Sequence, residues 1–309
     1  MTEHIESAVV ADIGGTEVKL GAMVQGELVE HVLFDTPRDP DQLFADLGGR
    51  IVRFARKYDA SVANINVPGA VRRTTKGAVI DPFPDVAMLN TTFDVRERLI
   101  DNERRLKGMG ILTSNDAAAA AHAVGRLPEL RGGQAGRTTY ITQSLGVGGD
   151  TIQDGKVSSE QPDGWLGEYG HVVLKTAYGH YSTLERQISG NAIRRLYGRG
   201  VTPACAIARD PSPWASFVWE RVGHDFAQGL VGMVALVGMD NIVIGGGVSR
   251  ARERYDAILR GEFTKALQHL PPGLMQEPHI HYLPKDLIHT ITLRGGYYAL
   301  QQRADEIVY

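Results

Sequence analysis

Residues 7–23, Ser-Ala-Val-Val-Ala-Asp-Ile-Gly-Gly-Thr-Glu-Val-Lys-Leu-Gly-Ala-Met, decide how this chain folds. Ser7 to Asp12 is a short, mostly apolar run that meets the turn Gly14-Gly15-Thr16, the pattern of a buried strand. Val18 to Met23 reads as a second strand, and Leu28 to Phe34 as a third beyond the turn Gln25-Gly26-Glu27. The chain therefore opens as an antiparallel meander, unlike the strand-then-helix opening of a dinucleotide-binding unit.

Outward from that meander, Asp39-Pro40-Asp41 predicts the start of a helix carrying Leu43, Phe44, Leu47, Ile51 and Phe54 at helical spacing. Val62 to Val67 predicts a strand ending at Pro68-Gly69, Asp94 to Leu106 a helix, and Met109 to Thr113 a strand. Ser114-Asn115-Asp116 then leads into Ala117 to Ala121, a strongly helix-favouring run. After the turn-rich stretch 125–137, about 130 residues from the first hairpin, the opening pattern returns. Thr138 to Thr142 is its first strand, Gly146-Val147-Gly148-Gly149 its turn and Thr151 to Gln153 its second strand. Short helices follow over Ser182 to Gly190 and Asn191 to Tyr197, and a long one from Ser212-Pro213 to about Val237. Trp214, Phe217, Trp219 and Phe226 on that helix read as core. Asn241 to Ile244 predicts a strand, Gly245-Gly246-Gly247 a turn, and Ser249 the cap of a helix reaching Leu267. His279 to Leu283 and a helix from about Gly295 to Ile307 complete the pattern.

At roughly 150 residues per domain, 309 residues suggest two domains. A hydrophobic content of 43% with 22% charged residues excludes a disordered or fibrous chain. A net charge of −3 gives no global attraction to nucleic acid or anionic lipid. The single cysteine, Cys205, excludes an internal disulfide and any multi-thiolate metal site. Met1 to Glu6 lacks a basic and an apolar signal region, and the longest apolar run, Gly229 to Met239, is far short of a membrane span, so a cytoplasmic protein is expected.

Several groups could carry chemistry. Asp12, Gly14, Gly15, Thr16 and Lys19 combine a close-approach turn with a carboxylate, a hydroxyl and a cation, which suits phosphate binding with a metal ion near Asp12. A plain hairpin is the alternative. Gly146, Gly148 and Gly149 gain interest as the second copy of the pattern, although glycines at a hairpin have a structural explanation. Gly245, Gly246 and Gly247 lie between a strand and a helix, where α/β domains accept nucleotides, and serve equally well as a tight turn. Asp116, beside Asn115, is the sharpest general-base candidate, with helix capping as its competing role. Glu168, His171 and Glu185 suit sugar hydroxyls. His171 and His180 find no third ligand at a normal spacing, so no structural zinc is expected.

These motifs, in this order, resemble the ROK family of repressors, open reading frames and sugar kinases, over nearly the whole chain. Asp12-Ile13-Gly14-Gly15-Thr16 resembles its first phosphate motif, Val67-Pro68-Gly69 its sugar-side turn and Ser114-Asn115-Asp116-Ala117 its catalytic Asn-Asp-Ala. Glu168-Tyr169-Gly170-His171 is similar to Glu-x-Gly-His, Leu184-Glu185 with Ser189-Gly190 to Leu-Glu-x-x-x-Ser-Gly, and Ile242 to Val248 to the adenosine-side motif. The resemblance implies an actin-like, ribonuclease-H-like α/β fold of two domains with mixed sheets and an active site in the interdomain cleft. The small domain would be 1–115 plus 291–309 and the large one 116–290, with a homodimer formed through the latter. It implies ATP- and Mg²⁺-dependent phosphorylation of a hexose or hexosamine, of glucokinase type. Asp116 would be the base; Asn115, Glu168, His171, Glu185, Gly69 and Asn90 would hold the sugar. Asp12 with the glycine turns would serve the nucleotide.

The chain also departs from the family. The zinc loop's Cys-x-Cys-Gly-x-x-Gly-Cys is missing, with Ala177 to Thr183 in its place, so His171 needs another means of orientation. Leu145 replaces a hydroxyl in the second phosphate motif, and Asp150 adds a negative charge there. The Asn expected after Asn-Asp-Ala is Ala118, and Leu89-Asn90-Thr91-Thr92 stands where a sugar loop is usual. Leu145 and Asp150 motivate an alternative, a sugar-binding protein of the same fold with little or no kinase activity. A repressor would need a helix-turn-helix ahead of Asp12, where none is expected, and an actin- or chaperone-type ATPase would not need Glu168, His171 and Glu185.

Overall fold

In the computed structural model, the described residues are 5–74, 77–80, 92–127, 130, 136–161, 168–176, 179–198, 204–270 and 277–309. They form two compact units, Met1–Ala123 with His289–Tyr309, and Val124–Ile288.

The first unit grows from the opening meander. Strands β1 (Ser7–Ile13), β2 (Glu17–Val24) and β3 (Glu27–Asp35) pair antiparallel. Helix α1 (Pro40–Tyr58) starts as its sequence predicts, with the Asp39 carboxylate accepting from the Asp41 N–H and Pro40 at its first turn. Leu43, Phe44, Leu47, Ile51 and Phe54 are all buried; each such side chain stabilises by about 1.5–3 kcal/mol. Strand β4 (Val62–Val67) lies parallel to β1. A small antiparallel sheet of β5 (Val71–Thr74), β6 (Gly77–Ile80) and β7 (Phe93–Asp94) leads to α2 (Val95–Asn102), which Asp94 caps. The helix expected to run on to Leu106 breaks at Glu103 and resumes as a 3-10 turn over Arg104–Leu106. Strand β8 (Gly110–Asn115) pairs parallel with β4, and α3 (Asp116–Val124) follows directly.

The second unit repeats this order. Strands β9 (Thr138–Gln143), β10 (Val147–Gln153) and β11 (Lys156–Val157) form its meander. The hairpin of β12 (Val173–Lys175) and β13 (Tyr181–Thr183) precedes α4 (Glu185–Ile188) and α5 (Gly190–Tyr197). The expected helix over Ser182 to Gly190 therefore begins as strand, at Ser182 and Thr183, and is helical only from Glu185. After α6 (Ala204–Ile207), α7 (Pro213–Val237) has the predicted bounds, with the Ser212 hydroxyl accepting from the Ala215 N–H. Trp219 and Phe226 are core, but Trp214 and Phe217 are exposed and stack on each other at 5.2 Å. Strand β14 (Asn241–Gly245) runs parallel to β9, a 3-10 segment covers Val248–Arg254, and α8 (Asp256–Leu267) follows it. Ser249 does not cap that helix; its hydroxyl donates to the Gly246 carbonyl at 2.7 Å, which tightens the glycine turn instead. Strand β15 (His279–Tyr282) completes the sheet.

The two sheets have matching orders, β3-β2-β1-β4-β8 and β11-β10-β9-β14-β15, the duplication that the repeated meander foretold. The last helix, α9 (Ile291–Gln302), begins earlier than the expected Gly295 and returns to the first unit. Strand residues alternate between faces, so Val9, Ala11 and Ile13 pack with α1 residues while Ala8 and Val10 pack with Leu293, Tyr297 and Leu300 of α9. A methyl on Gly295 would lie 1.7 Å from the Ala119 carbonyl oxygen, so α9 presses directly on α3. That contact carries the first unit past residue 115, to Ala123.

Candidate functional site

In the first unit the phosphate-motif candidates surround the β1–β2 turn. Gly15 and Thr16 are exposed, and among the described residues their N–H groups have no hydrogen-bond partner. The turn is held from behind: the Gly14 N–H donates to Glu17 O, the Thr36 hydroxyl to Gly14 O and the Thr36 N–H to Thr16 O. Asp12 is buried at the end of β1, where its Oδ2 accepts from Lys19 Nζ at 2.7 Å and from the Thr292 hydroxyl at 2.8 Å. Lys19 thus balances Asp12. Burial opposes its charge, but Asp12, aided by Asp116 and Glu17, outweighs that and raises its pKa.

Asn115 and Asp116 divide two tasks that the sequence left competing for one residue. Asn115 Oδ1 accepts from the N–H groups of Ala117 and Ala118 at 2.9 and 3.0 Å, so Asn115 caps α3. Its Nδ2 donates to the Gly69 carbonyl at 2.9 Å, joining the Val67-Pro68-Gly69 turn to the Asn-Asp pair. Gly69 has φ +82°, a left-handed conformation open to glycine at little cost. The Asp116 carboxylate accepts from the Ala117 N–H at 2.8 Å. Burial, and next the charge of Asp12, push its pKa up to about 7. A carboxylate with that affinity for protons is matched to general-base work near neutrality.

In the second unit the glycine candidates separate. The expected turn over Gly146–Gly149 is shorter: it spans Ser144 to Gly146, and Val147 already opens β10 opposite Gln143. Gly148 and Gly149 are strand residues paired with Thr142 and Ile141. Gly149 is there because a Cβ would lie 2.5 Å from both the Tyr140 carbonyl oxygen and the Tyr169 ring. Gly245 and Gly246 are likewise crowded, by the Tyr140 hydroxyl and the Gln143 backbone, and Gly246 has φ +87°. Gly247 alone of the three faces open space.

Asp150 does not present a free charge to this turn. It is buried, its carboxylate accepts from the Ser159 hydroxyl and from the Thr151 N–H at 2.8 Å, and burial raises its pKa to about 6. Leu145 is 39% exposed at the tip of the turn.

Glu185 Oε2 accepts from the Val147 N–H at 2.8 Å, tying the start of α4 to the start of β10. Glu168 and His171 bracket a 3-10 turn, both exposed, with His171 Nδ1 3.1 Å from Glu168 Oε2. A carboxylate therefore orients this imidazole where a metal was not expected. In the place of the zinc loop, β12 and β13 close through their own ladder and the Thr176 N–H to His180 O bond at 2.8 Å. Among the described residues no group of three His, Cys, Asp or Glu side chains is placed to hold a metal ion.

Asn90 lies outside the described residues, as do Ala177 and Tyr178. Thr292 was not legible as a site residue: its partner Asp12 is 280 positions away, and one threonine in a helical stretch carries no signal. Among the described residues no helix is long and apolar enough to cross a membrane.

Known proteins resemble this chain over most of its length. The ROK family model matches residues 8–295. The chain is 28% identical over 256 residues to N-acetylmannosamine kinase from Vibrio vulnificus (strain CMCP6), spanning 78% of this chain and 83% of that one. It is 24% identical over 293 residues to glucokinase from Thermotoga maritima, spanning 85% and 88%. The crystal structure of a ROK family glucokinase from Streptomyces griseus in complex with glucose and AMPPNP matches with a TM-score of 0.76 at 20% identity, over 96% of this chain and 99% of that one. Two α/β units on the same strand order make this an actin-like, ribonuclease-H-like ATPase fold. The chain belongs to the ROK family.

Proposed function

We propose that this protein is a sugar kinase that phosphorylates a hydroxyl of a hexose or N-acetylhexosamine at the expense of Mg-ATP. The observation that carries the reading is Asp116: freed from capping by Asn115, part-buried beside Asp12, and poised to hold a proton near pH 7. Kinases among the relatives, one on N-acetylmannosamine and one named a glucokinase, support the substrate class.

The residues of the first hairpin fit a nucleotide's phosphates and their cation. The unpartnered N–H groups of Gly15 and Thr16 suit phosphate oxygens, and Asp12 Oδ1, which has no partner among the described residues, suits a hydration water of the cation. Lys19, Gly146, Gly148, Gly149 and Gly245 to Gly247 are assigned to the nucleotide with them. When bound, Mg-ATP supplies the transferable phosphoryl group and offsets its charge. Asp116 would take the proton of the attacking hydroxyl as the new oxygen–phosphorus bond forms and the bond from that phosphorus to the ADP oxygen breaks, releasing ADP. Asn115, Gly69, Glu168, His171, Glu185 and Asn90 hold the remaining hydroxyls. Phosphoryl transfer needs mainly positioning, so most of these residues orient rather than react.

The protein is assigned to the cytoplasm, where ATP is at hand, and to a homodimer formed through the second unit. The exposed Val173, Tyr181 and Leu236 of that unit support the dimer, which sedimentation tests directly. One observation favours a second reading, a sugar binder with lost activity: Leu145 puts an apolar side chain at the turn of the second phosphate motif. ADP release across glucose, N-acetylmannosamine and related sugars, with Asp116→Ala as control, decides between them. Turnover that vanishes in the variant supports the kinase; silence with a sugar still raising the melting temperature supports the binder.

A further inference from the structure

The outer face of α1, opposite its buried stripe, takes no part in the chemistry above. It lines a cavity of about 490 Å³ with Asp46, Gly49, Arg50, Arg53 and Arg56, to which Arg105 adds a fourth arginine from the following 3-10 turn. Most of its lining side chains are exposed, so it is an open groove on the helix surface.

Three arginines spaced three apart on one helix face repel one another, and the usual remedy is an interleaved acid. Elsewhere in the first unit the structure supplies it: Lys57 pairs with Glu30, and Arg98 with Asp41. Arg53 and Arg56 make no hydrogen bond or close ion pair among the described residues, although Arg56 lies within reach of the Glu103 charge. Arg50 is fixed with its guanidinium 4.3 Å above the centre of the Phe34 ring, which leaves the N–H edge of the fork free. Arg105 is held by the Glu103 carboxylate, its Nε donating at 2.8 Å. Asp46 is the one acid lining the cavity.

Two adjacent glycines sit within the continuous helix α1 below these side chains. Gly48 has a packing reason, since a methyl there would lie 2.7 Å from Glu103 Cβ. Gly49 has none: a methyl would meet nothing within 4 Å. Its effect is to leave the cavity floor open at a cost in helix propensity.

We propose that this cavity binds a small phosphorylated anion, gripped by the free forks of Arg50, Arg53 and Arg56. Guanidinium matches phosphate bidentately, and with Arg105 balanced by Glu103, three arginines against Asp46 leave a net positive charge that favours a multiply charged ligand over a monovalent one. The site stands apart from the first hairpin and does not depend on the kinase reading.

Inorganic pyrophosphate is the probe, titrated calorimetrically into the full chain at constant ionic strength. Inorganic phosphate and a hexose 6-phosphate, in parallel arms, distinguish a bare anion from a phosphorylated metabolite. The wild type is expected to bind one equivalent more than Arg53→Ala/Arg56→Ala, or to bind at least tenfold tighter. Since pyrophosphate can also occupy the hairpin turn, the difference between the two proteins is the readout. Arg53→Lys/Arg56→Lys keeps the charge without the fork and is expected to bind at least fivefold more weakly than the wild type. Gly49→Ala, which disturbs no packing, is expected to weaken binding by filling the floor, and it keeps the test open should the alanine variant misfold. Equal stoichiometry and affinity in all four proteins, or equal binding by the arginine and lysine forms, overturns the proposal.

Discussion

Lys19 and Asp12 face each other as register partners on the first two strands, with Nζ 2.7 Å from Oδ2. Thr292, from the last helix, donates to the same oxygen. The pair sets the electrostatic surroundings of Asp116. Burial and Asp12 raise its pKa, while Lys19 works against them.

The first consequence is a pH profile. With a base titrating at about 7, kcat/KM for the sugar should rise with pH and level off above neutrality. Asp116→Ala should lower kcat by about 10²–10⁴-fold and leave sugar affinity within a few-fold. Lys19→Met should shift the acid limb upward, because it removes a cation that favours ionised Asp116. A profile flat from pH 5 to 9 would remove the base assignment.

Stability should follow the same group with a definite sign. Asp116 holds its proton to about pH 7 when folded, against 3.8 for an ordinary aspartate. Between those values the folded state carries more protons, so this carboxyl's contribution to stability falls as pH rises through the window. Asp116→Asn should therefore stabilise at pH 8, on the order of 2 kcal/mol, and have little effect near pH 4. Denaturant melts at the two pH values check it; equal effects at both count against the raised pKa.

Asn115→Ala removes the cap of α3 and the link to Gly69, and should cost about 1 kcal/mol or somewhat more. Asn115→Asp keeps the accepting oxygen and should recover the stability of the cap. It cannot donate to the Gly69 carbonyl, so a raised KM for the sugar should persist.

Glu168→Ala should raise the sugar KM more than it lowers kcat, since it frees the His171 ring without touching Asp116. Dialysis against a zinc chelator, followed by restored magnesium, should leave the melting temperature unchanged, because hydrogen bonds close the β12–β13 hairpin. A large fall on chelation would reveal a metal where the carboxylate is assigned.

Two glycine substitutions in helices should go in opposite directions. Gly295→Ala drives a methyl into the Ala119 carbonyl and should destabilise by about 3 kcal/mol or more. Gly261→Ala, in α8 with nothing within 4 Å, should stabilise by about 0.5–1 kcal/mol. Thermal melts of the pair test the α3–α9 contact.

Much of this protein is legible without a structure. Asp39-Pro40 and Ser212-Pro213 announce helix starts because capping is a contact between near neighbours in sequence. The two meanders follow from apolar runs punctuated by glycine, and the Asn-Asp pair at the end of β8 stands out by its residue types. What each of those residues does was decided elsewhere. Whether Asp116 has to cap α3 depended on where Asn115 Oδ1 points, and the company of Asp12 on a threonine 280 residues away. Gly148 and Gly149 proved to be strand rather than turn, since the register of β10 against β9 and the ring of Tyr169 set their place. The orientation of His171 came from a carboxylate three positions earlier, although nothing in the spacing said which of its neighbours would turn toward it. Short-range chemistry can be read along the chain, because the interacting groups travel together. Charge balance, close backbone approach and the aim of a side chain arise between segments that only folding brings into contact.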